Sequence, residues 1–159
     1  MFNFRAMVRV LAQQEVEFAI VGGLAGVMQG APLHTQDLDV LYSLEAPNPS
    51  RLLTAVRELD AFFSDDPRRI RPNLSHMESR GHKLLATRYG RLDCLAMIEA
   101  GTTFEDVIDQ LDWMELDGIP VRVLSPPRLI EVKEKLFRPK DRLALLQLQA
   151  TLEEREKKD

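Results

Sequence analysis

Two aspartates alternate with apolar residues in the run Asp-Leu-Asp-Val-Leu-Tyr at positions 37–42. If this run is a strand, Asp37 and Asp39 point to the same face, and the rise per residue places them roughly 7 Å apart along the chain. Like charges this close repel each other, and a fold tolerates them cheaply only if a cation neutralises them. Hard oxygen ligands of this kind suit Mg²⁺ or Mn²⁺. The pattern therefore predicts a metal site.

A pair of glycines, Gly22 and Gly23, stands between an apolar run at 17–21 and a segment with helical spacing at 24–30. The run predicts a buried strand, and the glycines predict a tight turn into the helix. Unpaired backbone N–H groups and the helix dipole favour an anion at such a helix start, and glycine lets a phosphate approach the backbone. The sequence thus predicts a phosphate site one connection away from the paired aspartates.

A third carboxylate, Asp93, lies in the otherwise apolar run Leu-Asp-Cys-Leu. Its neighbour Cys94 is the only cysteine, which excludes an intrachain disulfide and a structural zinc site built on several thiolates, and we expect it to be inert core. Taken singly, a Gly-Gly turn, an Asp-x-Asp strand and one aspartate in a strand are ordinary structural features. Their combination is what indicates a site.

The elements that must position these residues follow from periodicity and from turn residues. Apolar alternation and an Asp-Gly turn at 117–118 predict a hairpin, and Asn48-Pro49-Ser50 is expected to cap the third helix. Residues 64–80 show no clear period and are interpreted as a long surface loop or a poorly ordered strand. The predicted helices cover 3–14, 24–30, 51–62, 104–111, 126–137 and a segment from Pro139; the predicted strands cover 17–21, 37–42, 83–87, 91–98, 113–116 and 119–124.

Composition places the chain among ordinary globular proteins. Its 159 residues, 45% hydrophobic and 29% charged, fit one domain that folds without disulfides. The net charge of -4 argues against attachment to nucleic acid by bulk charge, although Arg68, Arg69 and Arg71 form a local basic run that could touch an acidic acceptor such as RNA. No apolar run approaches the roughly 20 residues that a membrane helix needs, so we expect a cytoplasmic protein without a membrane partner.

The motifs resemble a known superfamily. Val21-Gly22-Gly23, then thirteen residues, then Asp37-Leu38-Asp39-Val40 is similar to the signature of the DNA polymerase β-like nucleotidyltransferases, in which a third carboxylate on a neighbouring strand completes the metal site. Asp93 is similar to that carboxylate in position and setting. Across about residues 16–146 the chain also resembles small bacterial proteins related to the AbiEii toxin nucleotidyltransferases. The segments that carry this second resemblance are 35–39, 120–126, Lys133 and 138–141.

The resemblance implies an activity, a cofactor and roles for residues. A nucleoside monophosphate would pass from a nucleoside triphosphate to an acceptor hydroxyl, with Mg²⁺ or Mn²⁺ bound by Asp37, Asp39 and Asp93. Asp93 would also help to deprotonate the acceptor. The resemblance further implies that the nucleotide contacts a second set of residues, in which Lys133 also serves catalysis by neutralising charge on the leaving phosphates: Gly22, Gly23, Thr35, Lys133 and Asp141.

The implied architecture is an α/β (α+β) nucleotidyltransferase fold: a small mixed sheet flanked by helices, with two C-terminal helices. The domain is expected to span residues 1–159, with a core at about 16–146 and a frayed tail at 153–159. The acceptor is left open among RNA, protein and small molecules, and the resemblance implies a partner encoded nearby, as in toxin–antitoxin pairs. The chain departs from the resembled pattern at Leu33 and Ala144, where many relatives carry arginine and aspartate. The alternative is an inactive nucleotide-binding or regulatory protein of the same fold.

Overall fold

The computed structural model describes residues 2–31, 35–134, 146 and 149–154. Its strands are, in chain order, β1 (Phe18–Val21), β2 (Asp37–Tyr42), β3 (Phe62–Phe63), β4 (Lys83–Thr87), β5 (Gly90–Leu95), β6 (Leu111–Leu116) and β7 (Ile119–Leu124). Its α-helices are α1 (Phe4–Gln13), α2 (Gly22–Met28), α3 (Asn48–Glu58), α4 (Leu74–Glu78) and α5 (Pro126–Glu134). Two 3₁₀ helices cover Glu99–Gly101 and Glu105–Gln110.

The strands form one mixed sheet in the order β3-β4-β5-β2-β1-β7-β6. β2 runs parallel to β5, and β1 runs parallel to β7, while the other neighbouring strands are antiparallel. The predicted α/β class, with a mixed sheet and flanking helices, is confirmed. No helix in the described ranges is long and apolar enough to span a membrane.

The two faces of the sheet differ in composition because side chains alternate along each strand. One face carries Leu38, Val40 and Tyr42, all fully buried, and it packs against helices. The Tyr42 hydroxyl donates a hydrogen bond of 2.7 Å to the Met77 carbonyl oxygen of α4, which fixes that helix over this face. The opposite face of β2 carries Asp37 and Asp39 in the first half of the strand and the fully buried Leu41 in the second half.

Asn48 does not cap α3 as predicted; it lies inside the first turn of the helix and is buried. Its side chain accepts a hydrogen bond of 2.7 Å from the Glu17 backbone N–H and donates to the carbonyl oxygens of Glu17 and Ser43, at 3.0 and 2.7 Å. These bonds connect the start of β1 to the end of β2. The capping role of Asn48 follows from a local preference, but its side-chain amide instead forms hydrogen bonds with backbone groups that are distant in sequence or outside the helix.

The other elements depart from prediction mainly at their ends. The surface loop predicted at 64–80 is present over 64–73, but residues 74–78 form α4, and β3 precedes the loop. The predicted 104–111 helix is a 3₁₀ helix, and α2 begins at Gly22 itself rather than after a separate turn. The predicted end of the fifth helix at 137 and the start of the last helix at Pro139 lie outside the described residues, whereas residues 149–154 are helical.

Two sequence predictions are confirmed by backbone and burial. Asp117 and Gly118 have φ of 51° and 80°, which is the pair of positive angles that a tight hairpin between β6 and β7 requires. Cys94 is fully buried, and burial raises the pKa of its thiol, so it remains protonated and unreactive.

We expect Asn48→Ala to destabilise the protein by about 2–4 kcal/mol, because it removes three hydrogen bonds and leaves buried backbone groups without partners. Urea denaturation followed by circular dichroism measures this. Thr54→Ala is the matched control, since Thr54 lies on the same helix and is exposed, and we expect it to change stability by less than about 1 kcal/mol. Equal effects of the two substitutions would contradict the anchoring role of Asn48.

Candidate active site

The predicted site residues meet at one edge of the sheet. β2 and β5 run parallel and both begin at this edge, whereas β1 runs in the opposite direction and ends there. Strand direction therefore places Gly22, which follows β1, beside the aspartates at the start of β2. β7 runs parallel to β1, so α5 also begins at this edge.

Asp39 lies between two neighbours in the sheet register. Its Cα partner on β5 is Asp93, and its Cα partner on β1 is Val21. Directly paired residues share a face and stand about 5 Å apart, so the side chains of Asp39 and Asp93 are adjacent. Asp37 shares that face because it is two residues from Asp39. The structure thus brings all three predicted carboxylates to one face of two neighbouring strands.

Burial next to other carboxylates raises the pKa of Asp39 to about 7. Burial is the largest cause, followed by the charge of Asp93, a hydrogen bond with the Asp93 side chain and the charge of Asp37. Arg91 acts in the opposite direction and lowers the pKa. Asp39 is therefore a largely buried carboxyl group on which the charges of two other carboxylates also act.

Arg91 also belongs to the site, although the sequence motifs do not predict a role for it. Its Nε donates a hydrogen bond of 3.1 Å to Oδ1 of Asp93, and its Cα partner on β2 is Asp37. The charges of Asp93 and Asp37 raise the pKa of the guanidinium further. The signal for it was present, since residues two apart on a predicted strand share a face.

Gly22 is in close contact with Asp39. A Cβ at position 22 would lie 2.2 Å from Oδ2 of Asp39, and the glycine φ is +68°. Any other residue would both collide with the carboxylate and strain the backbone. Glycine at this position is therefore what allows the start of α2 to pass directly over the aspartate.

Gly23 faces Thr35 in the same way. A Cβ at position 23 would lie 3.1 Å from the Thr35 hydroxyl oxygen. That oxygen also accepts a hydrogen bond of 3.3 Å from the Asp37 backbone N–H and lies 3.3 Å from the Asp37 carbonyl oxygen, to which it can donate. Thr35 thus lies between Gly23 at the start of α2 and Asp37, the first residue of β2.

The last two predicted site residues are only partly located. Lys133 lies on α5, a helix that packs against α2, but its side chain is not among the described ones. Asp141 lies outside the described residues. The structure therefore brings Gly22, Gly23 and Thr35 to the aspartates and supplies no side-chain contact for the C-terminal pair.

The donor set suits a divalent cation in its chemistry. Carboxylate oxygens are the hard ligands that Mg²⁺ and Mn²⁺ prefer, and the charges of Asp93 and Asp37 both act on Asp39. Within the described part of the chain, no three carboxylate, imidazole or thiol groups are clustered closely enough to hold a metal ion. Asp93 is instead hydrogen-bonded to Arg91.

Comparison with known proteins gives the fold. No protein-family model and no curated protein sequence matches the chain. A Thermotoga maritima protein assigned as a nucleotidyltransferase superposes with a TM-score of 0.58 at 16% identity, over 94% of this chain and 96% of that one. The antibiotic-resistance factor ANT(2'')-Ia in complex with adenylyl-2''-tobramycin superposes with a TM-score of 0.57 at 18% identity, over 92% of this chain and 85% of that one. The solution structure of ANT(2'')-Ia superposes with a TM-score of 0.58 at 16% identity, over 93% of this chain and 83% of that one. The chain thus has the fold of these nucleotidyltransferases.

We expect Gly22→Ala to disrupt the site, because the new methyl group collides with Asp39 and the backbone angle becomes strained. The expected loss of stability is about 1–3 kcal/mol in thermal or urea denaturation. Gly81→Ala is the control, since a Cβ there meets nothing within 4 Å and φ is not positive. A Gly22→Ala protein as stable as the Gly81→Ala protein would contradict the close approach.

The raised pKa of Asp39 predicts a pH-dependent cost to folding. Between about pH 4 and 7 the unfolded chain releases the Asp39 proton while the folded chain retains it, so this group lowers stability as pH rises. In chelator, Asp39→Asn should therefore stabilise the protein by about 1–3 kcal/mol above pH 7 and by much less at pH 4. Urea denaturation across this range tests it, with the exposed Asp109→Asn as control. A gain that does not depend on pH would contradict this origin.

Proposed function

We propose that this chain is a metal-dependent nucleotidyltransferase that moves a nucleoside monophosphate from a nucleoside triphosphate to an acceptor hydroxyl. The observation that carries the proposal is the position of Asp39, which lies directly against Asp93 on one side and beneath Gly22 on the other. This arrangement puts paired carboxylates beside the two glycines that begin α2, in a fold shared with nucleotidyltransferases. One of those neighbours is seen with an adenylylated acceptor.

The three carboxylates would hold Mg²⁺ or Mn²⁺. Asp39 and Asp93 are direct neighbours across β2 and β5, and Asp37 extends the same acidic face toward the edge of the sheet. Such a cation, when bound, supplies neutralisation of phosphate charge and polarisation of the phosphorus to be attacked. The chain supplies a rigid platform, because both strands lie inside the sheet and cannot move independently.

The residues around the carboxylates would orient the triphosphate. Gly22 and Gly23 bring the backbone directly against Asp39 and Thr35, where a Cβ would collide with those side chains. Because the glycines carry no side chains of their own, they would let phosphate oxygens approach the backbone. Thr35 holds the backbone of Asp37 and so fixes the first carboxylate. Lys133, which lies on α5, would neutralise the leaving phosphates. Asp141, later in the sequence, would contact the nucleotide.

The wider assignments rest on the resemblance to AbiEii-related proteins. We place the chain in that group and propose that it acts in the cytoplasm beside a partner protein encoded nearby, as one half of a toxin–antitoxin pair. RNA is the acceptor class that the basic run at 68–71 would suit, although Arg68 pairs with Asp66 and Arg71 pairs with Asp60. If the acceptor is a protein or a small molecule, its hydroxyl group would bind next to the same carboxylates.

We expect the wild-type chain to bind ATP or another triphosphate only when Mg²⁺ or Mn²⁺ is present, because the acidic face repels phosphate otherwise. An Asp37→Asn, Asp39→Asn double variant should lose at least about tenfold in affinity, measured by isothermal titration calorimetry. The double variant Asp106→Asn, Asp109→Asn, which removes two exposed carboxylates elsewhere, is the matched control. Equal affinity of the wild type and the Asp37, Asp39 double variant would overturn the metal assignment.

Transfer itself is measured by incubating the protein with each of the four α-labelled triphosphates and cell extract. Label that appears in RNA, protein or a small molecule identifies the acceptor class. Metal-dependent binding without labelling by any nucleotide would instead support the binding-only alternative. The two measurements together therefore separate an enzyme from an inactive relative of the same fold.

A further inference from the structure

Arg91 and Asp93 form an ion pair inside the proposed site. They are two residues apart on β5 and share its acidic face, and the Arg91 Nε lies 3.1 Å from Oδ1 of Asp93. The Asp93 side chain is only 12% exposed, whereas the Arg91 side chain is 40% exposed. The carboxylate is thus fixed in the sheet, and the guanidinium has room to move.

The cation on the neighbouring strand β4 belongs to the opposite face. Lys83 is the Cα partner of Cys94, so it alternates away from Asp93. Its ammonium group lies 5.2 Å from the centre of the Tyr42 ring and donates to the Ser79 carbonyl oxygen. Among the described residues on strands β2 and β5, Arg91 is therefore the positive charge that faces the three aspartates.

The Arg91–Asp93 contact is of the kind that can be exchanged. One guanidinium nitrogen, rather than two, makes the contact, and the guanidinium half of the pair is open to solvent, which weakens the attraction. A divalent cation bound by several carboxylates outcompetes such a contact. After exchange, the Arg91 side chain remains tethered next to Asp37, its partner on β2, and within the same site.

We propose that Arg91 is a built-in counter-cation that holds Asp93 in the metal-free chain, yields it to a divalent cation and then binds a phosphate of the incoming substrate with its released guanidinium. This couples metal binding to anion binding through one side chain. It deepens the proposed function and rests on it, because the anion is the triphosphate. In the metal-free chain Asp93 is hydrogen-bonded to Arg91, and the described carboxylates are not clustered in metal-ligating form.

The first test measures Mn²⁺ binding to the full chain without nucleotide, by calorimetry or by the electron paramagnetic resonance of free Mn²⁺. Removing the competitor in Arg91→Gln should tighten Mn²⁺ binding roughly two- to fivefold. Arg9→Gln removes the same charge from an exposed position on α1 and is the matched control. Unchanged Mn²⁺ affinity in Arg91→Gln would overturn the proposal.

A double-mutant cycle separates competition for Asp93 from the mere loss of a positive charge. In an Asp93→Asn background the competition is absent, so Arg91→Gln should change Mn²⁺ affinity by less than about twofold. A gain as large as in the wild-type background would overturn the exchange, because it would show a through-space effect on Asp37 and Asp39 alone. Thermal denaturation confirms that each variant folds, and Arg91→Met, which also removes the charge, replaces Arg91→Gln if the latter does not.

The second test uses α,β-methylene-ATP, a triphosphate analogue that cannot donate its nucleotide, with saturating Mn²⁺. Arg91→Gln should weaken its binding about tenfold, and Arg91→Lys should recover part of that loss. Undiminished binding by Arg91→Gln would overturn the phosphate-binding half of the proposal. If the wild type does not bind the analogue at all, the proposed function and this half fail together, while the Mn²⁺ measurements still decide whether Arg91 competes for Asp93.

Discussion

Repulsion between adjacent carboxylates is the constraint around which the site is organised. Parallel pairing of β2 with β5 makes Asp39 and Asp93 direct partners, and burial together with the charges of Asp93 and Asp37 raises the pKa of Asp39 to about 7. Such an arrangement costs stability unless a cation relieves it. Arg91 relieves part of it in the chain itself, and a divalent cation would relieve the rest. The acidic face would therefore favour a bound cation.

The remainder of the fold holds this costly arrangement in place. The face opposite the aspartates is covered by α1, α3 and α4 and contributes fully buried side chains such as Val40 and Tyr42. Asn48 connects the chain around β1 and β2, so the two strands keep their register. Because the register is fixed, Gly22 must pass over Asp39, and only glycine can do so. The packing on one face thus offsets the loss of stability that the adjacent carboxylates cause on the other face.

The net charge of -4 gains a specific meaning from this geometry. Three of the acidic residues lie together at one sheet edge, where a bound cation rather than solvent would set the local charge. An acidic protein can in that way accept an anionic substrate. Arg91 connects the two situations, because it neutralises the face before a cation binds and becomes available to phosphate afterwards.

Strand alternation and turn chemistry are local, so most elements and the candidate carboxylates are predictable from the sequence alone. It predicted β2 to the residue, the Asp117-Gly118 hairpin and the shared face of Asp37 and Asp39. It misassigned Asn48 as a cap and missed α4 within the 64–80 loop, because nonlocal hydrogen bonds of Asn48 and of Tyr42 override local preference. The pairing of Asp39 with Asp93, the contact of Gly22 with Asp39 and the hydrogen bond of Arg91 to Asp93 all depend on the tertiary structure. Strand order and register, which join residues more than fifty positions apart, are set by how the whole sheet packs and not by any local pattern.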